Sequence, residues 1–387
     1  MVDIAHQAAI NPASAKDATP ARVPLTAIEP GQWRALAQRA VEPNGYYLPA
    51  WELAVSATAR DRMGASALTA CAGSSTRLIG LMPVVSLWQA LNIPLPALVS
   101  AHPYGTLCSP LIDRDSSTEA ATRLLQRARE AGAHALIMRD IALDGAAMGS
   151  LKEALGRSGL KPRVLGSYVR ASLDATQNGD KLLHDALGAK KLKELRRQRH
   201  RMAEHGAITF EVARKVDEIK PALETFLQLE ASGWKGQRGT ALSQDAGDAT
   251  FIRRAVPALA ETAQCEIVTL RTGATPVAAG IVLRHQDRAF FFKLGIDERF
   301  AKYSPGVQLT LDLTRHLCTD TTIASADSTA SADHPMINPI WRGRFAIGDV
   351  LIPLRRHDPI VALIHAALVG RGYAREVARR AIHLLRK

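Results

Sequence analysis

The chain has 387 residues, 47% of them hydrophobic and 22% charged, proportions that bury a globular core and exclude wholesale disorder. Its formal net charge of +12 favours polyanionic partners such as nucleotides, phospholipid headgroups or nucleic acid. Aromatic residues are only 5% and no aromatic-rich basic motif is present, so nucleic acid falls behind small phosphorylated ligands.

Residues 1–25 carry Asp3 and Asp17, many alanines and three prolines, and lack the apolar core of a signal peptide. They read as a loose leader. A helix signal near Trp51 precedes two short strands, SALTACAG and TRLIGLMPVV. Between Arg77 and Asp113 there is no Lys, Arg, Asp or Glu, a length that could span a bilayer. Pro83, Pro94 and Pro96 argue instead for a buried strand and an apolar loop. LCSPLID, a helix from Ser117 to Ala131, the strand HALIMRDI, a helix over Met148–Ser158 and the extended VLGSYVRASL complete a first unit, 26–175. Strands alternating with helices predict an α/β layer fold.

The turn-rich DATQNG, Asp174–Gly179, marks the boundary to a second unit, 176–357. It opens with a helix in which Lys190–Arg201 holds seven Lys or Arg in twelve positions, either a solvated face or a rim that attracts phosphates or an acidic polymer. Next comes LEASGWKGQRGTAL, where Trp234, Lys235 and Arg238 sit on a glycine-punctuated loop suited to ligand contact. The run from Cys265 to Cys318 reads strand, turn, long strand, turn, strand, then a helix whose first residues are Ser304, Pro305 and Gly306. Ser suits the N-cap, Pro the first helical position, and Gly the close approach of a ligand. Free amides and the positive end of the helix dipole could then bind phosphate, though the same spacing also describes a well-capped helix.

His316 and Asp320 share a helical face in an H-x-x-x-D spacing, a weak match to a pattern used by certain acyltransferases. Both units repeat strand, turn, strand, Ser-Pro, helix and an acidic strand end, with Ser109-Pro110 and Asp140 answering Ser304-Pro305 and Asp327. This pattern favours a tandem duplication. Residues 358–387 form a basic helical tail, either packed on the body or lying on an anionic surface. Cys71, Cys108, Cys265 and Cys318 have no zinc or redox spacing and fit a reduced, cytoplasmic setting. No hydrolase, P-loop or dinucleotide signature is present.

KKLKELRRQRHRMAEHG, LEASGWKGQRGTAL, PVAAGIVLRHQDRAFFFKLGIDERFAKYSPGVQL and the strand ending at Asp327 before IWRGRF together resemble the acyltransferase family of the cellulose-biosynthesis protein CelD. That family lies within the GNAT superfamily and is akin to FemAB-type transferases. The resemblance covers Leu182–Leu354 and extends more faintly to the first unit. It implies two tandem GNAT-like domains (α+β), each a mixed, mostly antiparallel sheet flanked by helices. It also implies acyl transfer from acyl-CoA, without a metal, to an amine or hydroxyl of a polysaccharide, lipid or amino-sugar precursor.

Carried over by position, Val277, Ala278, Ala279, Gly280 and Ile281 belong to the pantetheine-binding strand, and Ser304, Gly306 and Val307 to the phosphate loop. Of the usual GNAT phosphate motif only Gly306 clearly remains. Glu230 or Asp297 would serve as base and Tyr303 as acid, while Trp234, Lys235, Arg238 and Asp327 would contact or orient the acceptor. An aminoacyl-tRNA donor, as in FemAB-type relatives, and a non-catalytic scaffold binding an anionic partner remain alternatives. The expected location is cytoplasmic, with contact to the inner membrane surface open.

Overall fold

A computed structural model describes residues 20–385 except 61–63, 74–75 and 103. The expected leader therefore lies largely outside the described residues. The strands are β1 (Val23–Pro24), β2 (Ser66–Cys71), β3 (Leu78–Ser86), β4 (Ala97–Ser100), β5 (Leu111–Ile112), β6 (Ala135–Ala142) and β7 (Arg163–Asp174) in the first half. The second half supplies β8 (Ile208–Ala213), β9 (Cys265–Thr272), β10 (Thr275–His285), β11 (Arg288–Ile296), β12 (Ser325–Asp327) and β13 (Gly343–Pro353).

All of them join one sheet in the order β1-β2-β3-β4-β6-β13-β7-β12-β11-β10-β9-β8, with β5 hydrogen-bonded to β3. This order is a near-palindrome about the β13/β7 pair. β4 runs parallel to β6 as β11 does to β12, and every other pairing is antiparallel. Each half places its sixth long strand beside the fifth strand of the other half, β13 beside β6 and β7 beside β12. The expected pair of GNAT-like units is therefore present, and the two are interleaved rather than strung along a linker. One part of the expected internal match fails. Ser304-Pro305 opens the helix Pro305–Thr319, whereas Ser109-Pro110 runs into β5, and its helix starts only at Ser117.

Local sequence explains these elements. The apolar run PVAAGIVL in β10 has no polar face because the strand is covered on both sides, with Val277 to Ile281 buried. The β10–β11 hairpin turns on Gln286 and Asp287, and Gln286 adopts a left-handed φ of 52°. Its Nε2 offsets that strain by donating to Ala37 O (3.1 Å) and Ala40 O (2.9 Å). The helices Pro49–Thr58 and Ala246–Ala260 pack across the halves, with Trp51 edge-on to Phe251 and to Phe292, each with ring centroids 4.9 Å apart. One core cluster thus contains Trp33, Tyr46 and Trp51 from the first half and Phe251, Ile281 and Phe290 from the second.

The charge-free segment 78–112 forms β3, the short helix Leu87–Leu91, β4 and β5. No helix among the described residues is long and apolar enough to cross a membrane. The basic run lies in the helix Gly179–Ala203, which Gly188 interrupts at φ 72°. The tail forms the helix Pro359–Leu385, and Val361 and Ile364 dock it on the apolar face of β4 and β6. All four cysteines are free.

Candidate functional site

The site begins where β11 and β12 part. They are parallel and paired only from Arg288/Ser325 to Phe290/Asp327. After Asp327 the chain turns away, with Ser328 N–H donating to Ala171 O at 3.1 Å. From Phe291 to Ile296 the β12-side edge of β11 therefore has no strand partner. A bulge opposite Ile281 and Val282 leaves Phe292 unpaired on the β10 side, and such bulges re-aim side chains at functional edges.

The wedge opens into a cavity of about 450 Å³, lined by Leu294 and Ile296, by Ser304, Gly306 and Val307, and by Met336 on the far wall. Pro305 leads the helix and has no N–H, while the amides of Gly306 and Val307 belong to the first turn, where no intrahelical acceptor exists. A Cβ on Gly306 would lie 3.0 Å from Leu294 Cδ2 and 3.3 Å from Met336 Sδ, so glycine keeps the cavity open here. Ser304 has φ 54° and makes no side-chain cap, which corrects the expected N-cap role. Its carbonyl instead accepts from Gln308 N–H.

A second cavity, also about 450 Å³, lies between the two halves, with Tyr46, Arg60 and Tyr104 on one side and Asp248 and Lys293 on the other. The two cavities share Phe292, Lys293 and Thr329. They meet at the bulge.

The side chains at this meeting point are tightly held. Lys293 Nζ lies 3.3 Å from Glu230 Oε1, and Glu230 Oε2 accepts from Leu242 N–H at 2.9 Å. Tyr104 Oη donates to Asp248 Oδ2 at 2.6 Å, and Arg60 pairs with Asp245 at 3.0 Å. Burial, then the bond to Asp248, pushes the Tyr104 phenol up. Thr329 donates to Phe291 O at 2.6 Å, and its N–H reaches Asp327 Oδ1 at 2.9 Å. Asp327 in turn pairs with Arg170 of β7, whose Nη1 donates to Thr106 O at 2.6 Å. Tyr46 is fully buried in the wall of the second cavity, next to Thr329, and its hydroxyl makes no hydrogen bond of ordinary geometry among the described residues. Burial, then the Asp327 charge, pushes its phenol well above the ordinary range, so it stays protonated and can donate.

In the first half the matching wedge is filled by the chain itself. Beyond the β4/β6 pairing, Leu107, Cys108 and Ser109 insert fully buried, and Cys108 N–H donates to Asp140 O at 3.0 Å.

Residues 189–334 match the family model described as an acetyltransferase (GNAT) domain. The second half carries a GNAT domain. Among solved structures the chain is similar to FemX, at 12% identity over 87% of this chain and 98% of that one, with a TM-score of 0.57. It is also similar to the C-terminal domain of an Agrobacterium fabrum protein named for lysylphosphatidylglycerol synthesis (14%, 88% and 95%, TM-score 0.53). L-PGS from Bacillus licheniformis follows (14%, 88% and 97%, TM-score 0.51). At these identities the likeness is one of fold. No curated protein sequence matches the chain.

Within the GNAT domain, the sequence-based site expectations divide. Ser304, Gly306 and Val307 line the first cavity. Val277, Ala278, Ala279, Gly280 and Ile281 do not: β10 is bonded on one edge to β9 and on the other to β11, so it has no free edge for a ligand. The open edge belongs to its neighbour β11, an offset of one strand. Glu230 is buried beneath Lys293 rather than facing a cavity.

Asp297 caps the turn Glu298–Tyr303 through Arg299 N–H (3.0 Å), and Arg299 holds its carboxyl below the usual range. Tyr303 Oη points to His205 Nε2 at 3.1 Å. Neither Asp297 nor Tyr303 is among the residues lining these two cavities, which sets them apart from the places expected for them beside the chemistry. Asp327 is buried in its ion pair and reaches the site through Thr329 and, by way of Arg170, through Thr106. The side chains of Trp234 and Lys235 lie outside the described residues. Arg238 is exposed in the loop that leads to Thr240 at the rim of the second cavity.

His316 binds Glu266 Oε1 at 3.1 Å in a cluster with Arg214, Arg284 and Asp320. It lies ten residues along the helix from Gly306, about 15 Å by helical rise, and is therefore remote from the cavities. Sequence reading missed Tyr46, Tyr104, Asp248 and Lys293. Lys293 lies inside the run Cys265–Cys318 but had no role assigned to it, and the other three lay outside the stretches given site roles.

Proposed function

We propose that the GNAT domain transfers an acyl group from a coenzyme A thioester, in one cavity, to an amine or hydroxyl acceptor in the other. The observation that carries this reading is that the two cavities meet at the bulged, half-unpaired strand β11. The residues present fit the donor. The Gly306 and Val307 amides would hold its phosphates at the helix N-terminus, and the open edge of β11 would take its pantetheine arm as an added strand. Bound there, the donor supplies an acyl thioester.

The chain's own groups divide the remaining work. Tyr46 donates a hydrogen bond to the oxygen that gains charge in the tetrahedral state, because a phenol raised above its ordinary value is a donor and a poor acid. Among the described residues lining the two cavities Asp248 is the one carboxylate, and it accepts the acceptor's proton directly or through Tyr104, while the C–S bond breaks and the departing coenzyme A thiolate takes up a proton from solvent. Lys293 orients the acceptor, and Glu230 positions Lys293.

The acceptor belongs to a polysaccharide, lipid or amino-sugar precursor, as the resemblance to the CelD family implies. Fold similarity to FemX and the basic helix Gly179–Ala203 support a second reading, in which aminoacyl-tRNA is the donor. Calorimetry of the full chain with acetyl- to palmitoyl-CoA, against charged tRNA, distinguishes them. The first reading requires acyl-CoA binding that Gly306→Val weakens at least tenfold, and tRNA binding alone would overturn it.

A further inference from the structure

A third cavity, of about 560 Å³, shares no lining residue with the other two. It lies at the opposite end of β11, where Arg288 is five residues from Lys293, about 17 Å by strand rise. Its floor is Glu42. This side chain is 7% exposed. Its Oε2 accepts from Ala147 N–H at 3.3 Å, at the start of the helix Ala146–Arg157, while its Oε1 has no hydrogen-bond partner. A Cβ on Gly145 would collide with the carboxylate, so the glycine is what admits it.

Arg288, Arg344 and Arg114 line the same cavity, together with the carboxylates of Asp144 and Asp287 at its exposed rim. Arg288 gives Nε to Ser325 Oγ at 3.1 Å and lies over the Phe345 ring at 5.1 Å. Arg344 gives one nitrogen, Nη1, to the carbonyls of Trp341 (3.0 Å) and Gly343 (2.8 Å). Arg114 uses Nε and Nη2 on the carbonyls of residues 38–40. None of the three forms an ion pair with Glu42. A buried carboxylate with an unmet oxygen costs free energy, and guanidiniums along the same cavity do not neutralise it. Opposite charges that face one cavity without pairing are complementary to a ligand that carries both signs.

The cavity's frame is rigid. Gln286 and His285 tie the β10–β11 hairpin to Ala37, Ala40 and Asn44 of the first half.

From this arrangement we infer that the third cavity binds a small zwitterion, its ammonium at the Glu42 carboxylate and its carboxylate or phosphate on Arg288 and Arg344. The site is independent of the proposed acyl transfer.

The test is calorimetry of the full chain with L-alanine, O-phosphoethanolamine, acetate and ethylamine. At least one zwitterion should bind tenfold or more tightly than either half-ligand; L-alanine would identify a carboxylate ligand and O-phosphoethanolamine a phosphate ligand. Glu42→Gln should weaken zwitterion binding at least tenfold and leave acetate unchanged, whereas Arg344→Ala should weaken both. Arg344 is exposed, so that variant keeps the test valid if Glu42→Gln fails to fold. Equal affinity for zwitterions and half-ligands, no binding at millimolar concentration, or affinities unchanged in Arg344→Ala would overturn the inference.

Discussion

Arg170 of β7 and Asp327 of β12 form a two-pronged ion pair that bridges the halves of the molecule, with side chains 0% and 1% exposed. From this pair the bonds run outward to Thr106 on one side and Thr329 on the other, and both threonines line the second cavity. Asp327→Ala would leave a buried guanidinium uncompensated, and loss of one partner of a buried pair costs about 3–5 kcal/mol. Urea unfolding followed by circular dichroism should show a loss of that size, and a loss under about 1 kcal/mol would contradict the bridging role.

His285 makes stability fall in acid. Its Nδ1 accepts from Asn44 N–H at 2.8 Å and its Nε2 faces Ala37 O at 2.9 Å, a pattern only the neutral ring satisfies. Burial lowers its pKa from 6.5 to about 4. The unfolded chain thus takes up a proton before the folded one does, so this stability is full above pH 6.5 and is lost progressively as pH falls to about 4. The displacement amounts to about 3 kcal/mol. Unfolding free energy measured between those limits should flatten in His285→Gln; an unchanged slope would rule the histidine out as its source.

Tyr46→Phe separates stability from chemistry. The hydroxyl is buried with no hydrogen bond of ordinary geometry among the described residues, so removing it should leave the melting temperature unchanged or slightly raised. Turnover should fall about 100-fold, as when one oxyanion donor is lost. Equal turnover in the variant would remove Tyr46 from the mechanism.

Gly306→Val should place methyl groups against Leu294 and Met336 inside the first cavity. We expect acyl-CoA affinity to fall at least tenfold while the fold survives, since the position sits in a helical first turn with ordinary φ. Calorimetry alongside a thermal melt reads both.

Much of the fold is legible in local patterns. The alternation of strands and helices, the turn at Asp174–Gly179 and the helix beginning at Ser304-Pro305 all act over a few residues. The site is less legible because long-range pairing builds it. The family resemblance placed the ligand-binding strand at Val277–Ile281, but that apolar run is buried between two neighbours. The open edge falls on β11 because β12 is only three residues long. Tyr46 and Asp248 are about 200 residues apart in sequence, and only the packing of the helices Pro49–Thr58 and Ala246–Ala260 brings their cavity walls together. Asp297 and Tyr303 had the right chemistry for catalysis, but local partners, Arg299 and His205, claim them.

Hydrogen–deuterium exchange of the full chain with and without acyl-CoA tests the central claim most directly. The account predicts slowed exchange in two segments, Phe291–Ile296 and the first turn of Pro305–Thr319, with β10 already protected in both states. Protection confined to the basic helix Gly179–Ala203, or none in the two predicted segments, would contradict a donor site in the β11 wedge.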